Sequence, residues 1–321
     1  MGRMKLALLI GLIAGVLVSL GVVAYVGFDA VLAALARLGW SGFATLIACQ
    51  LALVPLLGGA WFVLARGQGA GLPTFAWGRL VRDSATEVLP FSPLGGLLLG
   101  ARAASLHGLP GPVALGSAVV DVTAELLAQI AYTLLGLVLL LSRGVLGAHG
   151  LSPVELGAAL LLAPATTAGF ILFQRRGLGF ILRHMEARWS GAGLAKAEAA
   201  HAEILAIYDR PWRVCLSVAL HFAAWIAAAL GAWIGLRLLG ADLSFADVVA
   251  LESLLCALRS AAFVVPGGLG VQEGAYALLA ALFGLPVEIA VALSLVKRAR
   301  DLMIGVPALL AWQVGELRRA G

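Results

Sequence analysis

Twenty-one consecutive residues, 6–26 (LALLIGLIAGVLVSLGVVAYV), carry no charge, and comparable apolar runs recur along the chain. The hydrocarbon core of a bilayer is about 30 Å thick, and about 20 apolar residues in a helix cross it. Such a helix satisfies its own backbone hydrogen bonds, which hydrocarbon cannot do for it. Composition extends the point to the whole chain. Of 321 residues, 62% are hydrophobic and 12% charged, against about 25% charged in a soluble domain. An ordinary soluble enzyme and a disordered chain are both excluded. Forty glycines and twelve prolines agree, because membrane helices tolerate both.

The reading is an all-α polytopic membrane protein with about six full spans: 6–26, 40–65, 112–142, 153–174, 212–236 and 286–314. The first run has basic residues before it, like a signal peptide. It exceeds the usual apolar core of about 7–15 residues and leads into an amphipathic stretch, so it reads as a retained helix. Two further apolar segments, 84–101 and 246–284, are interrupted by proline and glycine. Broken helices survive at membrane depth where protein or a water-filled cavity satisfies the freed backbone. Both read as re-entrant helical hairpins; the alternative is a proline kink in one long helix. Their turns are assigned to Pro90, Pro93, Gly95 and Gly96, and to Pro266, Gly267, Gly268, Gly270 and Gly274.

The net charge of +5 comes from 19 Arg and 3 Lys. They are scattered or placed at span ends, without a soluble basic domain for nucleic acid. With the N-terminus in the cytoplasm, fifteen of them fall on the cytoplasmic side and three (Arg37, Arg143, Arg237) outside. This asymmetry predicts that both termini are cytoplasmic. Cys49, Cys215 and Cys256 lie in apolar stretches and read as small core residues.

The two broken segments resemble each other. Pro90 and Pro266 are 176 positions apart, as are the Gly-Leu-Pro triplets at 108–110 and 284–286. Residues 1–142 and 143–321 then form two membrane repeats, each with three spans and one hairpin. An odd number of spans inverts the second repeat relative to the first, an arrangement of many transporters. The insert at 175–211 reads as a surface-lying amphipathic helix near lipid headgroups.

Ionisable groups at membrane depth are costly and mark function by default. Lys297, Arg298, Arg300 and Asp301 fall about 11 residues into the final span, with Lys297, Arg300 and Asp301 on one face. At the 176 offset, Asp121 corresponds to Lys297, Glu125 to Asp301, and Asp83 to Arg259. Two readings stand side by side. The charges are a buried ion-pair network that staples the halves, or they line a cavity where Arg300, Arg298, Arg102 and Arg259 hold an anionic headgroup, as the guanidinium fork suits phosphate. The stretch 266–274 (PGGLGVQEG) would expose backbone N–H groups at a helix start, an anion site by nature, or serve only as the tight bend. Glu273 could pair with Arg259 or another buried arginine. The five histidines show no metal spacing, and neither a nucleotide motif nor a catalytic constellation is present, so no cofactor is expected.

Arg79-Leu-Val-Arg-Asp83, Pro90-Phe-Ser-Pro-Leu-Gly-Gly96, Gly100-Ala-Arg102, the 266–274 stretch and Leu293-Ser-Leu-Val-Lys-Arg-Ala-Arg-Asp301 together resemble the transmembrane, flippase-like region of lysylphosphatidylglycerol synthases. Within that superfamily the chain is most similar to the hopanoid-biosynthesis-associated membrane proteins of the HpnL type. The resemblance implies a bacterial inner-membrane protein that handles lipid, with hopanoids or anionic phospholipids as cargo. It also implies lipid-biosynthesis or lipid-transport proteins as partners. The synthases carry a soluble aminoacyl-transferase domain after the membrane region; this chain ends about seven residues past its last span, so aminoacylation is not expected. A non-transporting scaffold for lipid-biosynthesis enzymes and an intramembrane lipid-modifying enzyme are the competing functions.

The orientation is open to test. A reporter that is active only in the cytoplasm, fused after Gly321, is expected to be active, and a periplasm-dependent reporter at the same place inactive. The reverse result removes the orientation.

Overall fold

The computed structural model describes residues 28–65, 67, 69–89, 93–142, 172, 192–261 and 270–320. Among them are nine α-helices and no strand: α1 Phe28–Leu64, α2 Leu72–Val88, α3 Pro93–Leu106, α4 Gly111–Ser142, α5 Ala192–Tyr208, α6 Pro211–Leu238, α7 Phe245–Ala261, α8 Val271–Ala280 and α9 Val287–Ala320. A 3-10 turn, Ala281–Phe283, follows α8. Three helices are long and apolar enough to cross a bilayer: Leu35–Leu64 within α1, then α4 and α6. They coincide with the spans expected at 40–65, 112–142 and 212–236. The chain is thus an α-helical, multi-pass membrane protein. The expected spans at 6–26 and 153–174 lie outside the described residues.

Helix α1 is bent at Gly39, whose φ of 61° a side chain would resist. Trp40 starts its straight part and is 86% exposed, and Trp212 occupies the same place on α6 with 54% exposure. Indole rings favour the boundary between headgroups and hydrocarbon, which accounts for two exposed tryptophans at helix starts. The exposed leucines of α9, Leu310 and Leu317, have lipid as their natural neighbour.

Small residues set how the helices meet. Lipid tails are as apolar as leucine, so membrane helices associate through close backbone approach rather than hydrophobic exclusion. Helices α1 and α2 run antiparallel: a Cβ on Gly58 would lie 2.5 Å from Ala76 Cα, and Trp61 meets Phe75 edge to face. Helices α2 and α3 form a second antiparallel pair, with Gly100 against Gly78 and Arg82. The long α1–α6 contact is also antiparallel, matching Gly42 with Leu238 and Cys49 with Gly231. Across α4 and α7, Gly136 receives Ser253; across α9 and α2, Gly305 receives Ser84.

Three boundaries differ from the sequence reading. The first broken segment is expected to begin at residue 84, with Arg79 (a candidate headgroup or cavity residue, as is Asp83) and Arg82 ahead of it on the cytoplasmic side. Both lie inside α2 and are buried, because carboxylates on a neighbouring helix offset the cost of burying them. Gly95 and Gly96 belong to α3 and Gly274 to α8, so none of them is a turn glycine. Gly96 is instead a contact with Arg82 and Thr86. Gly270, with φ of 77°, does stand at a turn. Pro90, Pro266, Gly267 and Gly268 lie outside the described residues, and Pro93 opens α3. The described part of the 175–211 insert, α5, turns Ile204 and Ile207 into a protein core with Leu64 and Val120, so that face meets protein and not lipid.

Neighbouring glycines give a direct check of the packing. An alanine Cβ at Gly59 comes no closer than 3.9 Å, to Leu72 Cδ1, and alanine favours helix by about 1 kcal/mol over glycine. Gly59→Ala is therefore expected to hold or raise the melting temperature in detergent. Gly58→Ala is expected to lower stability by about 1–3 kcal/mol, because the Ala76 backbone cannot yield.

Candidate functional site

Helix α2 starts with Pro73 in its first turn, and its phase brings Arg79, Arg82 and Asp83 to one face at i, i+3 and i+4. Asp121 and Glu125 stand four residues apart on α4 and meet that face. Arg79 Nη2 donates to Glu125 Oε1 at 2.6 Å and its Nη1 to Oε2 at 3.1 Å, a two-pronged pairing that suits the planar guanidinium. Arg79 Nε donates to Asp83 Oδ2 at 2.8 Å. Arg82 Nη1 donates to Asp121 Oδ2 at 2.6 Å, and its Nη2 to Glu125. The other oxygen of Asp121 is 2.9 Å from His221 Nε2 on α6. Arg79, Arg82, Asp121 and His221 are all buried. Beside them Trp61 Nε1 donates to Ser117 Oγ at 2.9 Å.

A second group gathers α7, α8, α9 and the end of α2. Lys297 Nζ lies 2.6 Å from Glu252 Oε2 and 2.9 Å from Tyr276 Oη, and the tyrosine hydroxyl donates to Glu252. Arg259 Nη2 donates to Glu87 Oε1 at 2.7 Å, linking the two helices that lead into the broken segments. Its Nη1 donates to Gln272 Oε1 at 3.0 Å, and the Gln272 amide donates to Ser294. Arg298 Nε donates to Glu273 Oε1 at 2.9 Å. Arg300 Nε and Nη2 both donate to Oδ1 of Asp301, its neighbour in the chain, at 3.0 and 2.8 Å.

The start of α8 holds an anion, and that anion is the protein's own. Glu273 Oε2 accepts from the Gly270 N–H at 2.9 Å, as the positive end of a helix favours. The anion site expected at residues 266–274 is thus filled at its described end by a carboxylate that also pairs with Arg298, not Arg259.

Most of the sequence candidates therefore fall into these two groups. Asp121 and Glu125 face α2 and not their counterparts Lys297 and Asp301, which pair within their own region. Arg102 is the exception. It sits on the outside of α3 with its Nη2 2.6 Å from Glu316 Oε1, and its side chain is 55% exposed. Glu316 is about 22 Å along the helix from Asp301 at 1.5 Å per residue, so Arg102 does not join the central cations. Sequence reasoning missed Glu87, Glu252, Tyr276, Gln272 and His221. Glu252, Tyr276, Gln272 and His221 are polar residues in apolar helices, which is a usable signal, whereas Glu87 ends the polar helix α2; in every case the partner lies elsewhere in the fold. Among the described residues no set of three or more His, Cys, Asp or Glu could hold a metal ion.

The model of the family described as lysylphosphatidylglycerol synthase TM region matches residues 12–308. No curated protein and no solved structure gives a significant match to the chain.

Pairing at depth has a measurable signature. Removing one partner of a buried pair leaves an uncompensated charge and costs about 3–5 kcal/mol. Glu252→Gln and Lys297→Met are each expected to lower the thermal unfolding temperature sharply. The double variant is expected to lose clearly less than the two losses added. Simple additivity would mean that the two side chains do not support each other.

Proposed function

The chain belongs to the lysylphosphatidylglycerol synthase transmembrane-region family, and from that premise we propose that it is a flippase-like lipid translocator, or a lipid-transport component, of the bacterial inner membrane. Membership itself makes it a membrane protein of lipid-related processes. The finer reading adds that hairpins α2–α3 and α7–α8 meet around the buried charges. The polar headgroup of a hopanoid or an anionic phospholipid passes there while its tails stay in the bilayer.

One observation carries this reading. Arg300 is a largely buried cation of α9, and it pairs with the residue next to it in the chain. That pair ties no helix to another, unlike Arg259–Glu87 or Lys297–Glu252, so a purely structural network has no use for it. A guanidinium held by a single carboxylate oxygen can exchange that oxygen for a phosphate or another headgroup oxygen.

The architecture supports two inverted repeats. The sequence long, short, short, long describes α1 to α4 and again α6 to α9. The corresponding helices α1 and α6 run antiparallel. Each hairpin also packs on the long helix of the other half, through Gly136 with Ser253 and Gly305 with Ser84, both displaced by 169 positions. Such halves can rock against each other about a site at their junction. With both termini cytoplasmic, the second half enters from the opposite side.

A scaffold for lipid-biosynthesis enzymes is the competing reading, and the two part at Arg300. Arg300→Ala is expected to keep the melting temperature within a few degrees and to reduce movement of a fluorescent phospholipid in proteoliposomes by tenfold or more. Mass spectrometry of co-purified lipid is expected to show one headgroup class enriched over the bulk membrane and lost in the variant. Unchanged transport and an unselective lipid profile would favour the scaffold.

A further inference from the structure

A cleft opens between α2, α3 and α9, apart from the buried charges. Its walls are Trp77 on α2, Leu106 and His107 at the end of α3, and Ala311, Trp312 and Gly315 on α9. Trp77 stands two residues before Arg79, so it points about 200° away from it round the helix. The space amounts to about 280 Å3, including the part open to the surroundings. Pockets that enclose a drug-sized ligand measure about 300–1,000 Å3, so this one has room for one end of a molecule and not for a whole lipid.

Three features of the walls point to the occupant. A Cβ on Gly315 would meet nothing within 4 Å, whereas one on Gly305 of the same helix would lie 2.7 Å from Val88. A helical glycine costs about 1 kcal/mol against alanine, and at 315 no contact with another helix offsets that cost. The indole nitrogens of Trp77 and Trp312 are buried and have no hydrogen-bond partner among the described residues. Indole N–H only donates, so whatever satisfies these groups carries acceptors. Cations stand at the rim. Arg102, one turn before Leu106, reaches from α3 to Glu316 on α9, and Arg318 is exposed one turn beyond Ala311 and Gly315 on their side of α9. Next round that helix, Leu310, Val314 and Leu317 form an exposed apolar surface.

We propose that this cleft binds the head of a membrane phospholipid, as a second lipid site that does not depend on the transport reading. Phosphate oxygens accept from the two indole N–H groups, which turn about the soft Cβ–Cγ torsion to reach them. Arg318 and Arg102 supply the positive charge that a phosphate favours. The acyl chains lie along Leu310, Val314 and Leu317. The level in the fold suits such a ligand, because Trp77 is in the second turn of α2, α3 ends at Leu106 and α9 ends at Ala320. Helix ends are where headgroups meet hydrocarbon and where tryptophan gathers. A free phosphate has the acceptors but lacks the chains, so it forgoes the apolar contact.

Full-length protein labelled with 15N-tryptophan, stripped of lipid in an uncharged detergent, is titrated with dihexanoyl phosphatidylglycerol and followed by NMR. Trp77→Phe and Trp312→Phe identify the two indole signals. Both signals are expected to shift saturably with the lipid, and inorganic phosphate at the same concentration to leave them in place. Gly315→Phe fills the cleft from a position with room for a side chain and is expected to weaken binding at least tenfold. Arg300→Ala, at the proposed transport site, is expected to keep the affinity within twofold. In Trp312→Phe, which keeps a ring and loses a donor, the Trp77 signal is expected to report at least threefold weaker binding. Indole signals that ignore the lipid, or wild-type affinity in both Gly315→Phe and Trp312→Phe, would overturn the site. An equal response to inorganic phosphate would overturn the phospholipid in favour of a free anion. Binding lost in Arg300→Ala but kept in Gly315→Phe would assign the lipid to the central charges and remove the cleft.

Discussion

The guanidinium groups of Arg79 and Arg82 share the carboxylates of Asp121 and Glu125, and much of the fold is arranged around keeping such groups answered. An isolated charge in a hydrocarbon slab is penalised by several kcal/mol, whereas a two-pronged buried pair recovers most of that through short, charge-assisted bonds. Helix α2 is too polar to stand alone in lipid. It is flanked by α1, α3 and α9 and tied to α4 by its arginines, and glycines on α1, α3 and α9 let those neighbours approach closely. The same logic holds α7 and α9 together through Glu252 and Lys297. Apolar surface is then left to lipid, and polar surface is kept where helices meet.

This division also explains how the two ionic groups can serve different ends. Pairs that join separate helices, such as Arg259 with Glu87, fix where the hairpins sit. Arg300 and Asp301, adjacent in sequence, form a salt bridge that joins no second helix. His221 stands on a third footing, touching a carboxylate whose other oxygen is already committed to arginine.

Much of this was legible in the sequence. The spans at 40–65, 112–142 and 212–236 show because lipid-crossing helices need unbroken apolar length, which composition alone reveals. The charges of α9 show because Lys297, Arg300 and Asp301 stand out in an apolar run. The arms of the first hairpin did not show at full length. Charges there look like a loop until Asp121 and Glu125, some forty residues away, are known to face them. Glu87, Glu252 and His221 escaped for the same reason: a solitary polar residue reveals its cost but not its partner. The roles of Gly96 and Gly274 were misread because a glycine in a helix, placed for close packing or for none, looks the same in sequence as one at a turn.

The paired charges have a consequence for how the protein is made. Helix α9 emerges from the ribosome bearing Lys297, Arg298, Arg300 and Asp301 near its middle, and insertion scales penalise each such residue by about 2.5–3.5 kcal/mol. Partitioning of α9 on its own is therefore unfavourable. It becomes favourable once Glu252 on α7 and Glu273 on α8, both synthesised earlier, wait beside the insertion channel. For a chain whose last helix crosses the bilayer, partners made earlier favour a cooperative, ordered insertion of the C-terminal half. A chain whose hairpin arms fail to form would leave its last helix outside the bilayer, exposed to quality-control proteases.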